Sequence, residues 1–439
     1  MKKILVFVIG AFVISACLPQ GRDIPQSPLL AMLERKSGLI AYMGVDGNMY
    51  VSDQGGGNLV QLTDDAELPE NQGQAFLYYQ HPTWARDGSQ LAFVGLSSDG
   101  EQVETRVIVA EPDGDSQKEV HRSESEFPIY LNWSPDNENV GFISSNQNGD
   151  NIILQSVPAA GGERTILDVG SPYYWSWAPD GNAMIVHAGG AAASVPEHLA
   201  FLDVDAPVIT EQAVDVTAEA LQEASTQAFQ APAWSPDGSR IALARVLDRK
   251  NEVIVTDAAG ENPETVGTFT QKTAFAWSSD GTRLAYLDGK QALEAGTIGP
   301  LHVVDFETSE EIVQDEDIIA FFWSPSGEEI AYFVLLQIPP EGGSSGEATP
   351  QFGLVLHVLD VASGESREIV TYRPTQQFLS ILPYFDQYHQ SATIWSPDNN
   401  NLVLSFLGES GPGIAVVAAS GNLEPRFLAQ AFIAFWSWE

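Results

Sequence analysis

Short runs in which every second position is apolar recur along the whole chain. Residues 90–93 (Gln-Leu-Ala-Phe), 240–243 (Arg-Ile-Ala-Leu), 283–286 (Arg-Leu-Ala-Tyr) and 329–332 (Glu-Ile-Ala-Tyr) each read as a strand with one buried face. Each follows a five-residue reversal whose fullest form is Trp234-Ser235-Pro236-Asp237-Gly238. Proline presets φ near −65°, aspartate bonds the backbone two residues on, and glycine or asparagine accepts positive φ. The requirements of the turn explain these residue types, so Asp237 and its counterparts are read as structural. The tryptophan before the turn is a large anchor for packing one unit on the next.

Copies of the motif start at Trp84, Trp133, Trp177, Trp234, Trp277, Trp323 and Trp395, and a truncated one at Trp436. Successive Trp positions lie 49, 44, 57, 43, 46, 72 and 41 residues apart. A period in the low forties with four short strands per unit is the signature of a β-propeller. The first unit, from Ser37, offers three strands and no Trp strand, and residues 431–436 offer a Trp strand with nothing after it. Paired together they make one shared blade and remove an open edge. The expectation is an all-β, single eight-bladed β-propeller of four-stranded antiparallel blades over residues 37–439, with seven blades as the alternative if the unit between Trp323 and Trp395 is misread.

The repeat resembles the TolB-type Pro-Asp propeller repeat, with Arg86 and Ser279 in place of proline and Ser326 in place of aspartate. The resemblance implies a propeller. It carries no biological role with it, because TolB has a separate amino-terminal domain that is not seen here.

The amino terminus adds an address. Lys2 and Lys3 precede an apolar run, 4–14, too short to span a bilayer comfortably, and the small pair Ser15-Ala16 follows. Ile14-Ser15-Ala16-Cys17 resembles the lipobox of bacterial lipoproteins. That resemblance implies a signal peptide over 1–16, an acylated Cys17, a tether over 17–36 and an extracytoplasmic, membrane-anchored protein. It would sit on the outer-membrane or periplasmic side in a cell that has an outer membrane. Cys17 is the only cysteine.

Composition narrows the partners. The chain carries 59 acidic and 20 basic residues, a net charge of −39. A phosphate-backbone binder needs a basic footprint, so nucleic acid is not expected, and membrane contact is expected only through the lipid. No EF-hand-like loop is present, the seven histidines are scattered, and neither metal nor cofactor is expected. Gly342-Gly343-Ser344-Ser345-Gly346 matches a nucleophile elbow in letters only, since no strand precedes it and no helix follows. No catalytic residue is assigned.

Loop lengths point to a working face. The long connections 64–80, 217–229 (read as a short helix at 218–223), 337–352 and 373–390 all fall on the face opposite the Pro-Asp turns. Aromatic residues gather in these links. Tyr79, His81, Tyr174, Trp175, Tyr384, Tyr388 and His389 are the ligand-binding candidates, read as a cup for a peptide or a sugar or as a cover for the channel. The leading expectation is a monomeric propeller binding a cell-envelope protein or peptide. Glycan binding is the alternative, and an axial hydrolase or lyase with His81 or His389 as base is the third.

Overall fold

The computed structural model describes residues 36–69, 71, 73–146, 152–189, 198–204, 211–212, 230–293, 296–338 and 351–439. The expected signal peptide over 1–16, Cys17, most of the expected tether, the helix expected at 218–223 and the Gly-x-Ser-x-Gly segment lie outside the described residues.

Each Trp motif folds as its chemistry dictates. In the copy at Trp234, Ser235 Oγ donates to Asp237 Oδ1 (2.6 Å) and accepts from Arg240 N (3.0 Å). Gly238 closes the turn onto Ser235 O at φ 73°. The same serine relay recurs at Ser134, Ser278 and Ser396. Aspartate and serine together lock the reversal that launches the next strand.

These strands assemble into consecutive antiparallel sheets, most of them four-stranded, with the order expected of a β-propeller. Typical sheets run Phe76–Trp84, Leu91–Ser98, Val103–Ala110, Gln117–Ser123, and then Glu126–Trp133, Asn139–Asn146, Ile152–Pro158, Thr165–Gly170. Glu311–Trp323 is long enough to serve two units. Its start, Glu311–Gln314, pairs with Gly296–Asp305, and its end, Ala320–Trp323, pairs with Glu329–Ile338. The last strand, Ala431–Trp436, pairs with Ile40–Gly44 from the start of the fold, with Ile40 opposite Trp436.

The tryptophans join sheet to sheet by a repeated bond. The indole N–H of Trp84, Trp133, Trp277, Trp323 and Trp395 donates to the carbonyl of Phe435, Thr83, Ala233, Ala276 and Phe322, at 2.9 to 3.3 Å. Each acceptor is the residue just before the preceding motif's Trp. Trp133, Trp395 and Trp436 are fully buried. Trp234 instead donates to its own turn at Gly238 O, and the indole N–H of Trp177 has no partner among the described residues.

The connection 373–390, expected as a surface loop, is ordered and folds inward. It forms helix α1 (Gln376–Ile381), a 3-10 turn (Leu382–Tyr384) and helix α2 (Phe385–Tyr388). Thr375 caps α1 by accepting from Phe378 N at 3.2 Å. Phe378, Ile381, Leu382 and Phe385 are buried in the main core, and their burial, at roughly 1.5–3 kcal/mol for each large side chain, holds the segment in place.

Candidate functional site

Inner strands of a propeller leave backbone N–H and C=O groups facing the axis, and these must be satisfied. Helix α2 and the residue after it do this for two inner strands, those of Trp175 and Trp323. Gln387 brackets the backbone of Trp175, and its own carbonyl accepts from Tyr130 Oη at 2.7 Å. His389 Nε2 accepts from Trp323 N at 3.3 Å, which places the ring proton on Nδ1. Arg86 Nη2 donates to Gln390 O at 2.6 Å, and Gln230 donates to Asp386. The segment is therefore a plug seated from the long-loop end of the ring.

Below the plug, at the Pro-Asp-turn end, a cavity of about 460 Å³ remains. Its walls are the ends of the inner strands and the turns that follow them, including Ser176, Trp234, Pro236, Phe275, Ser279, Phe322 and Pro325. Asp386, His389 and Gln390 of the plug line it too, as do Arg86 and Trp438. The Arg86 guanidinium lies 4.4 Å from the centre of the Trp438 ring.

The electrostatics of this wall are unusual for so acidic a chain. Burial pushes Asp386, only 4 % exposed, up to about 7, so the group titrates near neutrality. Burial, with the nearby Arg86 charge, pushes His389 down to about 4 and keeps it neutral. Both groups already serve the fold. Asp386 Oδ1 accepts from Gln387 N (3.0 Å) and its other oxygen from Gln230, while His389 holds the backbone of Trp323.

The sequence-derived candidates take different places. Trp175 is 0 % exposed, edge-on to Tyr130 at 5.0 Å, and forms packed wall rather than an open stacking platform. Tyr388 is half-buried, T-shaped against Tyr130 at 5.1 Å. Tyr174 is half-buried, and burial raises its phenol pKa. Tyr384, 46 % exposed, faces solvent on the plug's 3-10 turn. Tyr79 is buried within its own blade, donating to Asp65 Oδ1 at 2.6 Å and edge-on to Phe93. His81 sits at a strand irregularity with φ 57°, and burial pushes it to about 4. The plug thus brings Trp175, Tyr388 and His389 together, and Tyr79 stays apart in its own blade.

Sequence reasoning passed over Arg86, Gln230, Asp386, Gln387, Gln390 and Trp438 as site residues. A signal existed for two of them. The third turn position lines the cavity as Pro135, Pro179, Pro236, Ser279 and Pro325, and Arg86 and Trp438 occupy that same position in neighbouring copies. Among the described residues no group of three or more His, Cys, Asp or Glu side chains is placed to hold a metal, and no helix is long and apolar enough to cross a membrane.

No family model matches the chain, and no curated protein does. Solved structures of similar shape include TolB from Acinetobacter baumannii, at 15 % identity over 62 % of each chain with a TM-score of 0.36. The aligned part is thus less than two thirds of that TolB. An oligogalacturonate lyase from Vibrio parahaemolyticus aligns over 88 % of this chain and 98 % of its own, at 12 % identity and TM-score 0.48. The β-propeller domain of the Trilobed protease from Pyrococcus furiosus aligns over 81 % and 96 %, at 11 % identity and TM-score 0.47. At these scores the likeness carries no argument about activity, and the propeller rests on the strand pairing and tryptophan bonds of this chain.

Proposed function

We propose that the chain is an exported, lipid-anchored β-propeller that serves as a binding scaffold for a protein or peptide of the cell envelope. Taking Glu311–Trp323 as the outer strand of one blade and the inner strand of the next, and the sheet opened by the Trp395–Leu402 bridge as another, gives eight blades. The pairing of Ala431–Trp436 with Ile40–Gly44 supports closure of the ring. The Ile14-Ser15-Ala16-Cys17 run supports the anchor.

The observation that carries the binding reading is the inward-folded plug. It fills the axis from the long-loop end and leaves one concave, largely apolar cavity at the Pro-Asp-turn end. Concave apolar walls with a few converging polar groups are what ligand sites share. Binding was expected on the long-loop face; the cavity favours the opposite end. Acid–base chemistry is less well supported, because Asp386 and His389 are both engaged in structural bonds.

A photo-crosslinking amino acid placed at Ser279, in the cavity wall, or at Tyr384, on the long-loop face, tests this in intact cells. Adducts with an envelope protein from position 279 are the expected result. Adducts from position 384 alone would return the site to the long-loop face, and adducts from neither would overturn the scaffold reading. Cys17→Ser should release the protein from the membrane fraction.

A further inference from the structure

Three copies of the repeat break its proline rule at the same position, one with the small Ser279 and two consecutive ones with large side chains. The third residue of the motif is proline at Pro135, Pro179, Pro236 and Pro325, but Trp438 in the copy that begins at Trp436 and Arg86 in the next copy around the ring. These two residues touch, guanidinium over indole at 4.4 Å, and both line the axial cavity. Nothing in the turn needs this: the reversal after Trp84 still closes, with Ala85 N on Gln90 O at 2.9 Å and Gly88 N on Ala85 O at 3.0 Å. The departures therefore change what the cavity presents.

They change it in one direction. Arg86 is the only Lys or Arg among the residues lining the cavity, in a chain of net charge −39. Its neighbour Gln390, which accepts from Arg86 through its backbone carbonyl, has a side-chain amide Nε2 with no acceptor among the described residues, and so does Trp438 Nε1. Arg86 thus touches two residues, Trp438 by its ring and Gln390 by its carbonyl, each of which carries a buried N–H donor still to be satisfied. A sugar brings hydroxyl donors that need acceptors; a carboxylate brings acceptors alone and binds a guanidinium with charge-assisted bonds. The remaining wall mixes proline, tryptophan and phenylalanine, suited to apolar side chains behind that carboxylate, with the polar side chains of Asn132, Ser176, Ser279, Ser324, Thr393, Asp386 and His389. Because the plug occupies one end of the axis, the cavity favours a chain end over a chain passing through.

We propose that this cavity seats the free C-terminal carboxylate of a peptide chain, anchored by Arg86 with Trp438 and Gln390 supplying further N–H donors. This rests on the reading of the cavity as a peptide site, and it names the chemical end of the peptide that the site takes.

The test is affinity capture on the immobilised full chain, using randomised short peptides made as free acids and the same peptides made as C-terminal amides, with oligogalacturonides as an acidic sugar probe. Wild-type protein should retain the acids about tenfold over the amides, as loss of a charge-assisted pair predicts. Arg86→Gln should erase that preference, Arg86→Lys should keep part of it, and Trp438→Phe, which keeps the ring and removes the N–H, should weaken it. Equal retention of acids and amides by the wild type would overturn the carboxylate anchor and leave the peptide reading standing. Retention of neither peptide pool would overturn both, and retention of oligogalacturonides in place of peptides would overturn the peptide assignment. The wild-type comparison needs no variant, so a variant that misfolds does not decide the matter.

Discussion

The side-chain amide of Gln387 pairs with both backbone groups of Trp175, accepting from its N–H at 3.0 Å and donating to its C=O at 2.8 Å. Trp175 sits on an innermost strand, paired on one side with Val186, so its axial side has no strand neighbour. Gln387 supplies that neighbour from a side chain. Replacing it with alanine leaves two buried backbone groups unpaired, and stability should fall by about 2–4 kcal/mol. Chemical denaturation measures this. Gln387→Met, of similar length, should cost nearly as much; recovery by methionine would show that Gln387 acts by packing.

The plug also makes stability depend on pH. Asp386 is raised from 3.8 to about 7, so the folded state holds its proton more tightly than the unfolded chain does. Its contribution is fully present below about pH 4 and is lost as pH rises to about 7. His81 and His389, lowered from 6.5 to about 4, act in the opposite sense: their contribution is present above pH 6.5 and lost as pH falls toward 4. Asp386→Asn removes the charge and keeps the oxygen that accepts from Gln387 N, while Gln230 must turn its amide oxygen toward the new NH2. It should raise the melting temperature at pH 8 and leave it unchanged near pH 4; a lower melting temperature at pH 8 would contradict the burial argument.

Much of the ring was legible because its signals are local. Turn residues at fixed offsets from each Trp gave the strands, and the unpaired first and last units gave the pairing of Ile40–Gly44 with Ala431–Trp436. The plug was not legible. Its helices span six and four residues, too short to show a period, and Asp386 and Gln387 are polar residues that ordinarily stay at the surface. The aromatic gathering around Tyr130, Trp175 and Tyr388 was visible as a cluster. Whether it made a cup or a packed wall depended on Phe378, Ile381 and Phe385 finding the core, a tertiary outcome.

The tryptophan bonds differ enough to be told apart. Trp277 donates to Ala233 O at 3.0 Å, and Trp177, similarly buried, donates to no described residue. Both lose similar apolar area on conversion to phenylalanine. Trp277→Phe should therefore cost about 1–3 kcal/mol more than Trp177→Phe, the penalty of leaving a carbonyl unpaired. Equal losses in paired denaturation curves would show that the ring packing, and not the bond, is what each indole contributes.

Removing residues 431–439 takes away the strand against Ile40–Gly44, all five residues of which are buried. The exposed edge would carry unpaired backbone and apolar side chains together, a template for association. The truncated chain should elute as aggregates in size-exclusion chromatography and lose its cooperative thermal transition. A monomeric, cooperatively melting product would show that the terminal strand is dispensable.

Arg86, Tyr130, Trp175 and Gln230 all meet partners that arrive much later in the chain, between residues 386 and 390. On a ribosome, or on a chain threading through an export channel from its amino terminus, the early blades emerge well before the segment that completes their inner surface. Until then their axial backbone faces water. The first half of this protein is thus finished by its last quarter, and a nascent chain halted before residue 390 would carry blades whose shape is right and whose hub is missing.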